Sequence, residues 1–313
     1  MMSLRVSLIG KFSVRRDGEE LVGLHSGKVK ELFCYLLLHR DREHSREVLA
    51  AQLWGECTTG LSKKYLRQTL WQLHQDLRDT RHQETALVRA DLECVRLDTG
   101  FGLDLDVDGF EKAFRKAQGV AVDHLDQETT RSLHEAVALY QGELLEGWYQ
   151  DWCLYHRERL QNMYLAMLDT LMAYCEFRGQ FTLGRELGER LLKEDPARER
   201  TYVRLMRMDY LGGDRAGALR RFQRCQAALQ KELNVGPAKR TLELYEQIRA
   251  DRLQTSARAA DSLSPTAPGD SLALSPLIAR LQKIRSLLVR MQQRVQVDIQ
   301  AVDNALSFRD DQQ

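Results

Sequence analysis

The chain has 313 residues, of which 43% are hydrophobic, and a formal net charge of +1 at pH 7. This length suits two domains, with or without a tail, that bury their cores without disulfides. A nearly neutral chain has no long-range attraction for polyanions, so a nucleic-acid role would depend on local clusters of cations. The six cysteines form no Cys-x-x-Cys pair, and no apolar run is long enough to span a membrane. These features exclude a membrane partner and predict a reducing, cytoplasmic location.

The first hundred residues are expected to form a small antiparallel sheet, three helices and a hairpin. Alternating segments, "LRVSLIG" and "KFSVRR", precede the turn-like pair Asp17-Gly18 and the segment "EELVGL". Helices are predicted for "GKVKELFCYLLLHR", for "SREVLAAQLW" with Ser45 as N-cap, and for residues 61–78. The runs "ALVRA" and "CVRLD", separated by "DLE", have the pattern of a β-hairpin.

The third of these helices combines an apolar stripe with a cationic face. Its leucines recur with steps of four, three and four, which predicts one buried side. A basic helical face can be merely solvated, but lysine and arginine attract phosphate and glutamine can read adenine, so this face favours duplex DNA. Trp71 is assigned instead to an interdomain or partner-protein contact. The stripe consists of Leu66, Leu70, Leu73 and Leu77, and the opposite side of Lys64, Gln68, Trp71 and Gln75, flanked by Arg67, Gln72 and Arg78.

From Asp106 onward the sequence predicts an almost wholly helical region. Gly179 and Gly213 lie 34 residues apart in two similar segments, which is the period of tetratricopeptide repeats. A small residue then ends one helix and the next packs antiparallel to it. The predicted helices span 106–118, 126–141, 149–178, 182–194, 198–212, 215–233 and 238–251.

The C-terminal sixty residues predict a linker and a coiled coil. The segment "TSARAADSLSPTAPGDSLALS" is rich in Ser, Ala, Pro and Gly, as flexible linkers are. Beyond Pro276 an apolar stripe follows a heptad pattern, which a second copy of the chain would bury. A helix that folds back on the repeat region is the open alternative. The expected contact residues are Leu277, Leu281, Ile284, Leu288, Met291 and Val295.

Catalytic motifs are not found in the sequence. "HEAVA" at 134–138 begins like a zinc-protease helix but lacks the second histidine, and neither His134 nor His156 has a recognisable catalytic partner. Glycine-rich phosphate loops and nucleophile elbows are also missing. We therefore expect no enzyme, no cofactor and no metal site. The aromatic segment "WYQDWCLYH" is interpreted as a core seam between helices, with a ligand or partner pocket as the alternative.

Several segments together resemble a known family. In the first part they are "GKVKELFCYLLLHRDREHSREVLAAQLW", "KKYLRQTLWQLHQDLR" and "LVRADLECVRLD". In the second part they are "DVDGFEKAF", "ALYQGELLEGWYQDWCLYHRERL", "TLELYEQI" and the stretch from "RLLKEDPARER" to "KELNVGP". Their order over about residues 4–250 is similar to that of SARP-type bacterial transcriptional activators. Members of that family join a winged helix, like the output domain of response regulators, to a bacterial transcriptional activator domain.

The resemblance implies sequence-specific promoter binding and recruitment of RNA polymerase. The helix at 61–78 would be the recognition helix, and the loop Gly55–Gly60 would correspond to a segment that can contact polymerase. The acidic hairpin tip without glycine, with Asp91 and Glu93, argues against insertion of the wing into the minor groove. The expected DNA contacts are Lys63, Lys64, Arg67, Gln68, Gln72, Gln75, Arg78, Arg89 and Arg96.

The expected fold is mainly α: a winged helix-turn-helix with small antiparallel sheets, an all-helical repeat domain and a C-terminal coiled-coil helix. The expected function is a DNA-binding transcriptional regulator, an activator that recruits RNA polymerase, acting as a homodimer or higher homo-oligomer. The alternative is a non-enzymatic interaction scaffold whose winged helix contacts proteins. A small-molecule effector at the helical domain is left open. The domains would be 1–100 (DNA-binding), 101–252 (activator), 253–275 (linker) and 276–308 (coiled coil).

Overall fold

The computed structural model describes residues 4–21, 24, 27–78, 87–98 and 102–253. The chain begins with a sheet whose strand order is β3-β2-β1-β7, where β1 is Leu4–Ser7, β2 Ser13–Arg16, β3 Glu19–Glu20 and β7 Leu103–Leu105. The predicted turn between β2 and β3 is confirmed: Asp17 and Gly18 have φ of 50° and 92°, the left-handed pair of a two-residue hairpin turn. The antiparallel start of the sheet is therefore encoded locally.

Strand β7 extends this sheet in a way that the sequence did not indicate. It pairs parallel to β1, with Leu4 opposite Leu103 and Val6 opposite Leu105. The next residue, Asp106, accepts hydrogen bonds from the backbone N–H groups of Leu8 and Ile9, both with Oδ2, at 2.8 and 2.9 Å. Burial raises the pKa of this carboxyl group, although the N–H donors act against the shift. The start of the helical region is thus tied directly to the N-terminal sheet.

Three helices and a second sheet complete the first hundred residues. The helices are α1 (Gly27–Leu38), α2 (Arg46–Leu53) and α3 (Thr59–Leu77). The second sheet has the order β4-β6-β5, with β4 at His44–Ser45, β5 at Val88–Ala90 and β6 at Cys94–Leu97. Ser45 occupies the N-cap position of α2, but its side chain makes no capping hydrogen bond, because the residue ends β4 and pairs with Cys94. This arrangement is the expected winged helix.

Helix α1 is buried on both sides. Residues 31–38 are all buried, so α1 has no solvent-facing side over this stretch. The second side packs on a later helix: Tyr35 meets Trp152 edge to face at 5.5 Å between ring centroids. Glu31, 5% exposed, is paired with Lys28 at 2.8 Å and accepts a long contact from the Trp152 indole at 3.5 Å. The aromatic segment around Trp152 is therefore a seam, as predicted, although Tyr149 and Tyr155 remain exposed.

The helical region follows the predicted pattern. Gly179 and Gly213 have φ of 70° and 86°, so both end their helices in the left-handed conformation that glycine adopts without strain. The same backbone bond recurs 34 residues later: Gln180 N–H to Cys175 O and Asp214 N–H to Asp209 O, both at 2.8 Å. The helices are α4 (Asp106–Ala117), α5 (Gln127–Leu139), α6 (Asp151–Phe177), α7 (Phe181–Glu194), α8 (Glu199–Leu211), α9 (Arg215–Leu233) and α10 (Lys239–Arg249), with a 3-10 turn at Val122–His124.

Two glycines let α7 approach its neighbours closely. A Cβ at Gly184 would lie 2.6 Å from Met208 Sδ, and one at Gly188 would lie 2.7 Å from Leu205 Cδ2. Both neighbours belong to α8, so any larger residue would force the side chain of Met208 or Leu205 to shift. Close contact of successive helices buries a continuous core, as in repeat proteins.

The expected fold class is confirmed: a mainly helical chain with a winged helix and small sheets at its start. One core of buried residues runs from β1 and α1 through α3 to α8 and α9. No helix among the described residues is long and apolar enough to cross a membrane. The predicted linker and coiled coil, including Leu277 to Val295, lie outside the described residues and stay predictions.

Candidate nucleic-acid interface

Helix α3 presents its basic face because leucines hold the opposite side in the core. Leu66, Leu70 and Leu73 are 1%, 3% and 0% exposed, and Leu77 is half-buried. Burial of each leucine contributes about 1.5–3 kcal/mol, so turning the helix to hide its outer face would cost several kcal/mol. The predicted stripe is confirmed, and it sets which residues of α3 meet solvent.

The outward face of α3 carries cations and amides without a carboxylate. Lys64, Arg67 and Gln68 are spaced three and four residues apart and therefore adjoin on the surface. Within the described ranges, Lys64 and Arg67 take part in no ion pair. Unpaired cations beside amide groups are suited to phosphate and base-edge contacts. The exposed members of the predicted set on this helix and its C-cap are Lys63, Lys64, Arg67, Gln68, Gln75 and Arg78.

Two predicted DNA contacts of α3 already have partners in the chain. Lys63 Nζ lies 2.5 Å from Glu47 Oε1 on α2, and this hydrogen bond and charge lower the pKa of Glu47. Gln72 Nε2 donates to Asp76 Oδ1 at 2.9 Å, one turn along the helix. Glu47 lies 16 residues before Lys63, so local sequence patterns could not predict this ion pair. The free part of the face is therefore centred on Lys64, Arg67 and Gln68.

Trp71 is the most exposed aromatic side chain of α3. It is 61% exposed, so the interdomain contact considered for it does not form among the described residues. A partner-protein contact remains a prediction. An indole so open to water gains free energy when a partner covers it.

The wing carries its two arginines side by side. Arg89 and Arg96 are paired in register across β5 and β6, and both are exposed. Each has a carboxylate partner: Arg89 lies 2.6 Å from Asp98, and Arg96 lies 2.8 Å from Glu43. Both wing arginines that were predicted to contact DNA thus have an ion-pair partner within the chain.

The acid at the wing tip organises the turn. Asp91 Oδ1 accepts from the backbone N–H groups of Cys94 at 2.7 Å and Glu93 at 2.8 Å. These two donors lower the pKa of Asp91. Arg46 on α2 binds the carbonyl of Asp91 at 2.8 Å, which joins the tip to α2. Leu92 projects from this turn, 96% exposed. The sequence showed Asp91 as a repulsive charge and gave no sign of its structural role.

The loop before α3 is open to solvent. Gly55, Glu56 and Thr58 are exposed. The adjoining helices also expose apolar side chains, Val48 at 57% and Leu61 at 44%. These features suit the polymerase contact that the family resemblance implied for Gly55–Gly60, which stays a prediction.

The two histidines considered for catalysis occupy different surroundings. Burial lowers the pKa of both, that of His156 to about 4. His156 Nε2 lies 3.2 Å from His39 Nε2 rather than beside a nucleophile. Among the described residues, no group of three or more His, Cys, Asp or Glu side chains could hold a metal ion.

Comparisons with known proteins identify the helical region. The family described as "Bacterial transcriptional activator domain" matches residues 105–249. The fold is similar to that of EmbR of Mycobacterium tuberculosis, solved in complex with a low-affinity phosphopeptide, with a TM-score of 0.62 at 19% identity. The match covers 80% of this chain but only 66% of the EmbR chain. A search of curated proteins finds no significant match.

Proposed function

We infer that this chain, a transcriptional regulator of the SARP type, works by binding specific promoter DNA through α3 and by recruiting RNA polymerase. One observation carries the proposal: an exposed face of α3 that has cations and amides, lacks a carboxylate and is held outward by buried leucines. A winged helix places such a face in the major groove. Activation needs no covalent chemistry, because binding positions the polymerase.

The roles of the side chains follow from their positions on α3. Lys64 and Arg67 contact phosphates or guanine, and Gln68 and Gln75 read adenine edges through paired amide donors and acceptors. Asp76 lies near the C-terminal end of the helix, so the N-terminal half enters the groove deepest and Gln75 contacts its edge. The wing lies along the backbone with its arginines already paired and contributes less.

Polymerase recruitment is assigned to the loop before α3 and to Trp71 on the outward side of α3 itself. The loop before α3 exposes Gly55, Glu56 and Thr58, and Trp71 offers exposed aromatic area on the helix. Aromatic side chains dominate the binding energy of many protein interfaces. The predicted coiled coil would bring two copies to adjacent sites on one promoter.

The test replaces residues on the outward face and measures DNA affinity. Arg67→Ala with Gln68→Ala is expected to abolish preference for the operator, since a good bidentate contact discriminates by about 1–3 kcal/mol. Arg240→Ala with Gln226→Ala, at exposed positions of α10 and α9, is the matched control. Fluorescence anisotropy with operator and scrambled duplexes, on operators found by genome-wide mapping, gives the readout. Equal affinity of both variants for the operator would refute the assignment of α3.

Salt dependence separates the proposal from the scaffold alternative. A DNA-binding protein releases counterions, so the logarithm of its affinity falls linearly with the logarithm of salt concentration. A scaffold that uses the winged helix for protein contacts would show no duplex affinity at any salt concentration. Titrations from low to high salt with the full chain decide between the two.

A further inference from the structure

A charged cleft lies between the winged helix and the helical domain. Its volume is about 910 Å³, within the range of small-molecule sites. The walls come from the end of α1 and the loop after it, from β7, from α4 and from the N-terminal part of α6. Both domains therefore contribute side chains to one space, and ligand sites often occur at such interfaces.

Cations outnumber carboxylates in this cleft. Five basic side chains line it, against Asp41, Asp108 and Glu111. Two guanidinium groups, those of Arg42 and Arg115, have no ion-pair partner in the part of the chain that the structure describes. The cleft thus has a net positive charge although the whole chain is nearly neutral. The basic residues are Arg40, Arg42, Lys112, Arg115 and Arg159.

Glu111 holds two of these cations in place. Its carboxylate, only 10% exposed, pairs with Arg40 at 2.8 Å and with Arg159. Arg40 also reaches Asp108 at 3.2 Å. One carboxylate shared by two guanidinium groups leaves several of their N–H donors for a further acceptor, since each group has five. Arg40 and Arg159 are therefore ordered before any ligand arrives.

His39 and His156 also line the cleft. His39 Nδ1 bonds the carbonyl of Tyr35 at 2.9 Å, and His39 Nε2 faces His156 Nε2 at 3.2 Å. Burial is the largest cause of the low pKa of His156, and the neighbouring His39, Arg159 and Arg42 lower it further. Nδ1 of His156 is buried without a hydrogen-bond partner. Positive potential and an unsatisfied polar atom thus occur in the same place.

We propose that this cleft binds a small molecule with a doubly charged anionic group, a phosphate or a pair of carboxylates. Arg40 and Arg159 form the ordered floor, and Arg42 and Arg115 close on the anion from the two domains. Arginine suits this ligand because its planar fork matches both anions bidentately. Tyr155, 69% exposed at the rim, covers the ligand.

An anion in the cleft would link the two domains. Arg42 belongs to the winged helix and Arg115 to the activator domain, so a ligand that bridges them favours one relative placement of α3. A ligand that binds one arrangement better shifts the population toward it. This consequence for DNA rests on the proposed function, whereas binding of the anion itself does not.

Calorimetric titration of the full chain tests the site. The probes are inorganic pyrophosphate and citrate, which separate phosphate from carboxylate ligands. We expect saturable binding of at least one probe, weakened about tenfold or more in Arg42→Gln with Arg115→Gln, because charge-assisted hydrogen bonds are lost. Both arginines are exposed, so the fold should persist; Arg115→Glu provides a second, single change.

Lys239→Gln with Arg240→Gln is the matched control, because it removes the same charge from exposed positions of α10. The control should keep probe affinity within about twofold of the unmodified chain. Absence of saturable binding, or an equal loss in both double variants, overturns the proposal. DNA titrations of the same proteins separate failure of the cleft proposal from failure of the proposed function. If the protein does not bind DNA but only the cleft variants lose affinity for the probe, the cleft assignment stands.

Discussion

Helices α1 and α3 belong to the same winged helix and both bury leucines, yet they end in different environments. Residues 31–38 of α1 are all buried, and its Glu31 is paired with Lys28. Helix α3 buries one stripe and leaves Lys64 and Arg67 unpaired among the described residues. Helix α1 is packed on two sides and therefore belongs to the core. Helix α3 is packed on one side only, so its other side can bind a ligand. Periodicity alone does not separate these two cases.

Two aromatic substitutions measure most directly how differently α1 and α3 are buried. Phe33→Ala on α1, where Phe33 is fully buried, should lower the free energy of unfolding by about 3–5 kcal/mol. Trp71→Ala on α3, where the ring is 61% exposed, should change it by about 0.5 kcal/mol or less. Urea unfolding followed by circular dichroism gives both values. Equal losses would show that Trp71 is covered in solution.

The buried His156 of α6, which packs against His39 after α1, should make the fold sensitive to acid. The folded-state pKa of His156, about 4, is below the unfolded value of about 6.5. Between these values the unfolded chain binds more protons, so the free energy of unfolding falls as pH falls, by at most about 1.4 kcal/mol per pH unit. Below about pH 4 this loss stops.

Unfolding curves from pH 7 to pH 4 check this expectation. His156→Gln should reduce the slope over that range, because glutamine takes up no proton. Identical slopes in the variant and the unmodified chain would mean that other groups cause the acid sensitivity.

Cationic side chains with and without an ion-pair partner can be compared through DNA binding. Lys64→Ala with Arg67→Ala should reduce duplex affinity about tenfold to hundredfold and lower the salt slope by about 2. Arg89→Ala with Arg96→Ala should cost about threefold or less, because Asp98 and Glu43 already neutralise these side chains. Anisotropy titrations at several salt concentrations measure both. A larger loss from the wing would reverse the ranking of the two surfaces.

Removing the carboxylate of Glu47 should change duplex affinity least, and should raise it rather than lower it. Glu47→Gln frees Lys63 from its ion pair on the rim of the α3 face. We expect duplex affinity to rise about twofold to fivefold, with a steeper salt dependence. The same titrations apply, and Glu19→Gln, exposed in β3, is the matched control. A loss of affinity in Glu47→Gln would show that Glu47 orients Lys63 for DNA.

Local patterns predicted much of the fold. The leucine spacing of α3, the Asp17-Gly18 turn and the glycines at 179 and 213 each depend on residues close together in the chain. Residues close together in the chain determine helix and turn geometry, so these elements could be predicted without tertiary information. Strand β7 could not, because its three residues form a strand only by pairing with β1 far earlier in the chain.

The candidate site was predicted in part for the same reason. The sequence identified the cationic and amide residues of α3 but could not show which cations were already paired. Arg96 meets Glu43 across 53 residues, and Lys63 meets Glu47 across 16. Asp91 looked like a charge that repels DNA and is instead the acceptor that closes the wing turn.

By itself, then, the sequence determined one core-facing side of each helix, because side-chain direction follows from backbone periodicity over a few residues. Only the tertiary structure decided which of the remaining charges are free. Charge pairing depends on distances of a few ångströms between groups far apart in the chain, and the folded arrangement alone sets those distances. The unpaired cations of α3, and of the cleft between the domains, are products of that arrangement.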